Sequence, residues 1–489
     1  MVVVGAGLSG IGAGHHLAKR CPWASFAILE ARERIGGTWD LFRYPGIRSD
    51  SDMFTLGYPF RPWDGDKAIA DGASIRQYIE QTAAESGLVG RIRFQRRVVA
   101  ADWSSADARW LLTVECTDTG ERQQLSCSWL FACTGYYRYD RGHLPDFPGL
   151  ERFEGRLVHP QHWPDDIDHA GKRIVVIGSG ATAVTLVPAL AAQATKVTML
   201  QRSPSYIASL PAVDPLANAL RRRLPARLAA PTVRWTKALT TQASYRLARR
   251  WPAAVKALLR AQARFLLPNG FDIDTHFTPR YDPWDQRLCV VPDGDLFRAL
   301  RDGTADVVTD RIDTFTAAGI RLASGRHLDA DIVVSATGLE LLFLGGIRIS
   351  VDGDTVDPAT RLAYKGMMLE GVPNLSMAVG YTNASWTLKC DLTCDHVVRL
   401  LGRMRSAGLR QATPVNPDPS VSAQPLLGLS SGYVLRSVDR FPKQGSRDPW
   451  RVHQSYLKDY RLMKLRPVDD PNLLLSNPAP GEQRLASAS

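Results

Sequence analysis

VVVGAGLSG at residues 2–10 and IVVIGSGATA at residues 174–183 are the stretches whose reading decides the fold. Each couples a β-branched apolar run to a glycine turn and then to a helix-forming segment. A continuous apolar run of this kind fits a strand buried on both faces. The glycines allow a tight turn, let a pyrophosphate approach the backbone, and let the helix pack close to the strand. The N–H groups and dipole at the helix start then face an anion. In the first finger the turn is Gly5-Ala6-Gly7-Leu8-Ser9-Gly10, and the pattern predicts a helix over 8–19 and a strand over 25–29 that ends at Glu30. An acid about twenty residues past the finger is placed to accept a ribose hydroxyl. In the second finger the turn is Gly178-Ser179-Gly180-Ala181-Thr182-Ala183, between predicted strands at 173–177 and 196–200 and with a helix over 181–192. That second strand ends in Gln201 and Arg202, not in an acid. A carboxylate there would repel a 2′-phosphate, whereas a guanidinium binds one through paired hydrogen bonds. The second dinucleotide is therefore read as NADPH.

Two such starts imply an α/β protein with two Rossmann-like dinucleotide-binding domains, and 489 residues suffice for several buried cores. Alternating segments at 92–98, 110–115 and 128–131 read as a sheet inserted into the first unit. From 205 to 282 Ala, Leu and Arg dominate between frequent prolines, which reads as a helical insertion in short pieces. The expected order is 1–140 for the first unit, 141–204 for a linker and the second unit, and 205–282 for the insertion. The second unit resumes at 283–338, the first at 339–476, and 477–489 is a loose tail. The Pro/Ser-rich stretch 413–425 reads as a surface loop.

The formal net charge is +11. Residues 215–271 hold twelve Lys/Arg and no Asp/Glu, so this segment accounts for the excess. No nucleic-acid module accompanies the charge, and no nucleic-acid partner is expected. The segment reads first as a solvated helical face, and second as a peripheral contact with an anionic membrane, with Trp235, Leu258 and Phe265 among its apolar residues. A surface for the polyanionic cofactor is the third reading. Seven scattered cysteines without a C-x-x-C argue against a disulfide framework. The chain opens directly on a strand and has no apolar stretch of spanning length, so a cytoplasmic protein is expected. No cluster of His, Cys, Asp or Glu suggests a metal.

A further set of motifs lies around the fingers. FEGRLVHPQHWP (153–164) combines Phe153, Gly155, His159, Trp163 and Pro164; GGTWDLFRYPGIRSDSD begins at Gly36; PWDQRL contains Arg287. These resemble the fingerprints of the Baeyer–Villiger monooxygenases, a class B branch of the flavin-dependent monooxygenases. Together with AYKGMML and GYTNASWTLK they are most similar to the mycobacterial subgroup that activates ethionamide. The resemblance runs from Gly5 to about Trp450. It implies FAD on the first finger, NADPH on the second, dioxygen, and a ketone turned into an ester or lactone. Oxidation of sulfur-containing small molecules also lies within the subgroup's range. It implies that Thr38, Trp39, Asp40 and Leu41 lie along the flavin, with Asp50 near its reactive face and Arg48 and Ser49 beside it. The backbone at Val98 would meet the adenine.

By the same resemblance Arg287 lies over the flavin, and its chemical use follows from first principles. The nucleophile for a ketone is an anionic flavin peroxide. A cation at ~4 Å is worth roughly 4 kcal/mol to that anion at an effective dielectric near 20. Arginine suits the task because it stays protonated, and Asp50 would orient it. Gln286 departs from the lysine that many relatives carry there, so the preference for NADPH rests on Arg202. His159 is read as structural, and Cys390 and Cys394 as packing residues. Two alternatives stand beside the ketone reaction: S- or N-oxygenation on the same fold, and a membrane-docked flavoprotein with an interaction role.

Overall fold

The computed structural model describes residues 1–478, so all but the first two residues of the expected tail lie outside the described residues. The opening strand, Val2–Val4, is central in a five-stranded parallel sheet. Its order is Leu375–Met377, Leu130–Ala132, Val2–Val4, Ala27–Leu29, Ile92–Arg93. The second finger's strand, Arg173–Ile177, is central in a second parallel sheet. There the order is Ala305–Thr309, Lys196–Gln201, Arg173–Ile177, Ile332–Ser335, Arg156–Val158. The two fingers therefore open two sheets of like topology, and the strand at Leu375–Met377 brings the late chain back to the first.

The glycines explain the helix placement. A side chain at Gly10 would overlap the carbonyl of Gly5, so the helix Leu8–Arg20 can lie this close to its strand only with glycine there. Lys19 and Arg20 fall in its last turn, where cations complement the helix dipole. Leu41, Phe42 and Tyr44, from the first unit, pack into the core of the second beside Val158 and Ile174. The segment after Gly36-Gly37 thus rivets the two units together.

Two expectations are corrected and a third is trimmed at its ends. The segment at 128–131 does not belong to the inserted sheet: Leu130–Ala132 is buried at all three positions and pairs with Val2–Val4. The inserted sheet is Asp354–Val356, Arg348–Val351, Arg96–Ser104, Arg109–Cys116, Arg122–Cys127, and it borrows a hairpin from the late chain. Its last strand is almost wholly exposed, which removed the apolar alternation that would have revealed it. The insertion is not in short pieces either. It contains helices Pro215–Arg223, Ala226–Arg250 and Pro252–Leu266. Pro215 and Pro252 occupy first helical positions, where no backbone N–H is needed, and Pro225 caps the long helix. These prolines start helices, and only Pro231 lies inside one of the three. Finally, the stretch at 413–425 is bounded by strands Gln411–Pro414 and Ala423–Pro425, paired with Leu473–Ser476 and Lys443–Gly445. No helix among the described residues is long and apolar enough to cross a membrane.

Candidate active site

Both fingers lead into one cavity of about 890 Å³, lined by the first finger, Glu30, the 36–51 segment, residues 133–140, the start of the second finger's helix, and Arg287. Gly5 takes φ +104°, and the space its side chain would need is occupied by the carbonyl of Cys133, 2.6 Å from the ideal Cβ position. Gly7 faces Gly37, whose Cα lies 3.4 Å from where a Cβ would be, so two side-chain-free walls form a slot. Glu30 is only 5% exposed. Its Oε2 accepts from the Ala6 N–H at 2.7 Å and its Oε1 from the Arg32 N–H at 2.9 Å. Burial raises its pKa, against the pull of those two bonds. An ionised carboxylate has about four acceptor sites, so capacity remains for ribose hydroxyls. Slot, carboxylate and helix start fit the dinucleotide of FAD.

Most first-unit residues singled out in the sequence line this cavity: Ser9, Thr38, Trp39, Arg48, Ser49, Asp50 and Val98. The Ser9 hydroxyl is engaged, accepting from the Trp386 indole at 2.8 Å, so its backbone is what remains for a phosphate. Thr38 meets the Tyr139 hydroxyl at 3.3 Å. Arg48 is paired with Asp295, and the Ser49 hydroxyl closes a turn onto the Ser51 carbonyl at 2.8 Å. Asp40 and Leu41 depart from expectation. The Asp40 carboxylate turns away to Arg32 and Arg43, at 2.7 and 3.0 Å, which hold its pKa down against its burial. Leu41 is buried in the core of the second unit. On the one-turn helix Thr38–Leu41 the two faces diverge, and only the first two residues face the cavity.

Arg287 enters from the loop before strand Cys289–Pro292. Its Nε lies 3.6 Å from Asp50 Oδ2, and its Nη1 donates to the Thr382 carbonyl at 3.2 Å. Three distant segments therefore meet at one guanidinium, which keeps a third of its side chain exposed to the cavity. Burial raises the pKa of Asp50, opposed by Arg287 and Arg48. Burial also works against the charge on Arg287, but Asp50 foremost, with Tyr433, Tyr136 and Tyr137, outweighs it.

The second finger is more open. Gly178 takes φ +142° and packs against the carbonyl of Ala336. Ala181 and Thr182 line the shared cavity. Gly178, Ser179 and Gly180 do not, and a Cβ at Gly180 would meet nothing within 4 Å. Ser179 is tied to the Ser203 carbonyl at 3.0 Å. Ala183 and Gln201 are corrections. Ala183 is fully buried in the core. Gln201 is 2% exposed, and its amide donates to the His276 carbonyl and the Thr309 hydroxyl, both at 2.9 Å. Arg202 is exposed and makes no ion pair among the described residues, so it is available to a phosphate.

His159 is satisfied on both sides. Its Nδ1 accepts from the Gln161 N–H at 3.2 Å, and its Nε2 donates to the Gly338 carbonyl at 3.3 Å. It links the 153–164 motif to Ala336-Thr337-Gly338. Cys390 and Cys394 are buried and free, and burial pushes the Cys390 thiol up to about 12. Cys133-Thr134-Gly135-Tyr136-Tyr137 belongs to no motif singled out in the sequence, although it repeats the strand-plus-x-T-G pattern of 336–338. Tyr136 lines the cavity, with its ring 5.0 Å from that of Trp386.

Two finger-led sheets that share one cavity, with a guanidinium at its wall, define a flavoprotein that takes its electrons from a nicotinamide dinucleotide. Residues 3–64 match the NAD(P)-binding Rossmann-like domain, and residues 58–216 match the flavin-binding monooxygenase-like family. The chain is 54% identical over 482 residues to the FAD-containing monooxygenase EthA of Mycobacterium tuberculosis (strain ATCC 25618 / H37Rv), covering 98% of each chain. To EthA of Mycolicibacterium smegmatis it is 52% identical over 474 residues, covering 97% of this chain and 96% of the relative. Among solved structures, oxidized steroid monooxygenase bound to NADP superposes with a TM-score of 0.71 at 25% identity, over 85% of this chain and 87% of that one. The chain belongs to the FAD-containing monooxygenases. Its cofactors are FAD and NADPH, and the likeness to solved monooxygenases of the Baeyer–Villiger branch covers 85% of it.

Proposed function

We propose that the protein inserts one oxygen atom from dioxygen beside the carbonyl of an apolar ketone, giving an ester or lactone, and that sulfur-containing small molecules share the site. The observation that carries this is Arg287, held between Asp50 and the Thr382 carbonyl at the wall of the cavity that both fingers enter. Residues 5–10 and 36–39 would hold FAD, which would supply the centre that activates dioxygen with electrons from NADPH. Arg287 faces the carbonyl oxygen of the ketone and stabilises the negative charge that develops there. Such charge stabilisation in a dry site is often the largest single contribution to catalysis. Asp50 orients the guanidinium. Trp39, Trp386 and Tyr136 give the cavity an apolar wall that favours an uncharged substrate and excludes water.

In this reading Glu30 takes the flavin ribose and Val98 lies by the adenine, while the N–H groups at Ala181 and Thr182 face the NADPH pyrophosphate and Arg202 its 2′-phosphate. The FAD unit is 1–140 with 339–476, and the NADPH unit 141–204 with 283–338. The basic insertion rests peripherally on an anionic membrane. The test is product analysis with isotopically labelled dioxygen. One labelled oxygen in the ester per NADPH consumed is the expected result. Hydrogen peroxide release with no labelled product from any ketone or sulfide would sink the proposal.

A further inference from the structure

Large apolar side chains exposed to solvent are concentrated in the insertion. On the helix Pro252–Leu266, Leu258 is 67% exposed and Phe265 87%, and Trp251, just before it, is 56%. Ala254, Ala257, Leu258, Ala261 and Phe265 are all exposed and recur at i, i+3, i+4, i+7 and i+11, so they form one continuous stripe. The opposite side, with Ala263, Leu266 and Leu267, is packed into the core of the second unit. The preceding helix ends with Arg246, Leu247 and Arg250 exposed one turn or so before Trp251. Among the described residues, Arg246, Arg250 and Arg264 make no ion pair, whereas Arg249, Lys256 and Arg260 are paired with Asp285, Asp282 and Asp274.

We infer that this stripe, with Trp251 at its start and Arg246, Arg250 and Arg264 on its rim, is a face that lies on an anionic phospholipid surface. The inference rests on the peripheral-membrane reading above and assigns it to particular residues. A helix with one apolar face and unpaired cations beside it settles at the boundary of headgroups and acyl chains. Each cation near an anionic leaflet strengthens binding about fivefold. A second copy of this chain is the poorer occupant. A two-fold contact sets the same patch against itself, and residues 215–271 offer twelve cations and no acid to neutralise it. The long helix Ala226–Arg250, which carries Arg246 and Arg250, also packs Ala238 against Tyr381, a residue of the cavity wall.

The experiment is co-sedimentation of the FAD-loaded protein with vesicles of phosphatidylglycerol and phosphatidylcholine, against vesicles of phosphatidylcholine alone. Binding is expected only to the anionic vesicles and is expected to fall with added salt. Leu258→Ser with Phe265→Ser should weaken it at least about tenfold, and Arg246→Gln with Arg250→Gln and Arg264→Gln should weaken it by about as much or more. These side chains are exposed, so flavin content and melting temperature should stay at the parent values. Failure of the parent protein to bind anionic vesicles overturns the membrane reading altogether. Binding that the serine variant leaves unchanged overturns this face and spares the reading. A dimer in solution that the serine variant dissociates also overturns the inference, because the face then belongs to a second copy.

Discussion

In the first finger the helix Leu8–Arg20 begins beneath a carboxylate that is 5% exposed, and Gly7 is closed in by Gly37. In the second finger a Cβ at Gly180 would project into open space, and Arg202 stands in solvent. Yet the two are built on one plan. The first glycine of each takes a positive φ and packs on the carbonyl that begins an x-T-G turn, Cys133 in one and Ala336 in the other. What differs is how each site is finished. The first is walled by residues from elsewhere in the chain, such as Trp386, whose indole reaches Ser9. The second is left open beyond its helix start. An enclosed site suits a cofactor that stays through many turnovers, and an open one suits a dinucleotide that must come and go. Equal turns thus do unequal work because of what the rest of the chain places around them.

The strongest way to break this comparison is Gly10→Ala. Its methyl group would overlap the Gly5 carbonyl, so a loss of about 3 kcal/mol or more is expected, read as a lowered melting temperature and flavin-free protein. In the open finger the place of Gly10 is already taken by Ala183, and Gly180→Ala, at the place of Gly7, should keep its flavin and parent stability and raise only the KM for NADPH. If both variants lose flavin alike, the contrast is wrong.

Arg287→Ala tests the shared cavity. Ester formation should fall about a hundred- to a thousandfold with flavin retained, while sulfide oxidation, which needs no oxyanion stabilised, should be largely spared. An equal loss of both activities would count against the assigned role. Arg202→Gln should raise the KM for NADPH about ten- to a hundredfold, the value of a charge-assisted phosphate contact, and leave that for NADH unchanged. A variant that binds both as the parent does would remove Arg202 from the site.

The smallest expected effect is in the pH profile. Burial raises the Asp50 pKa, so Asp50 protonates and releases Arg287 at a higher pH than an ordinary carboxylate would. The acid limb of ketone oxidation should therefore lie above the usual aspartate range and disappear in Asp50→Asn, which keeps only the residual rate. For stability the sign is opposite to that of a salt-bridged acid. A raised folded-state pKa contributes most below the unfolded value, and that contribution is lost as the pH rises through the folded one. An acid limb at the ordinary aspartate position would show that Asp50 is not buried beside Arg287.

Much of this was legible in the chain because the signals are local. A β-branched run, a glycine turn and Glu30 or Arg202 at the next strand end need only short-range geometry, and both sheets formed around the strands they mark. Asp50 and Arg287 were legible as members of motifs. Their meeting was not, since they lie far apart in the chain and only the folding of both units brings the Arg287 Nε within 3.6 Å of Asp50. Tertiary structure likewise decided which way each residue of a motif points: Thr38 and Trp39 into the cavity, Asp40 to its arginines, Leu41 into the neighbouring core. It also carried the helix Ala226–Arg250 through Pro231, which in sequence reads as a break. The physical reason is the same in each case. Turn formation and strand burial are set by neighbours a few residues away, whereas the facing of a side chain and the enclosure of a site depend on packing between segments far apart in the chain.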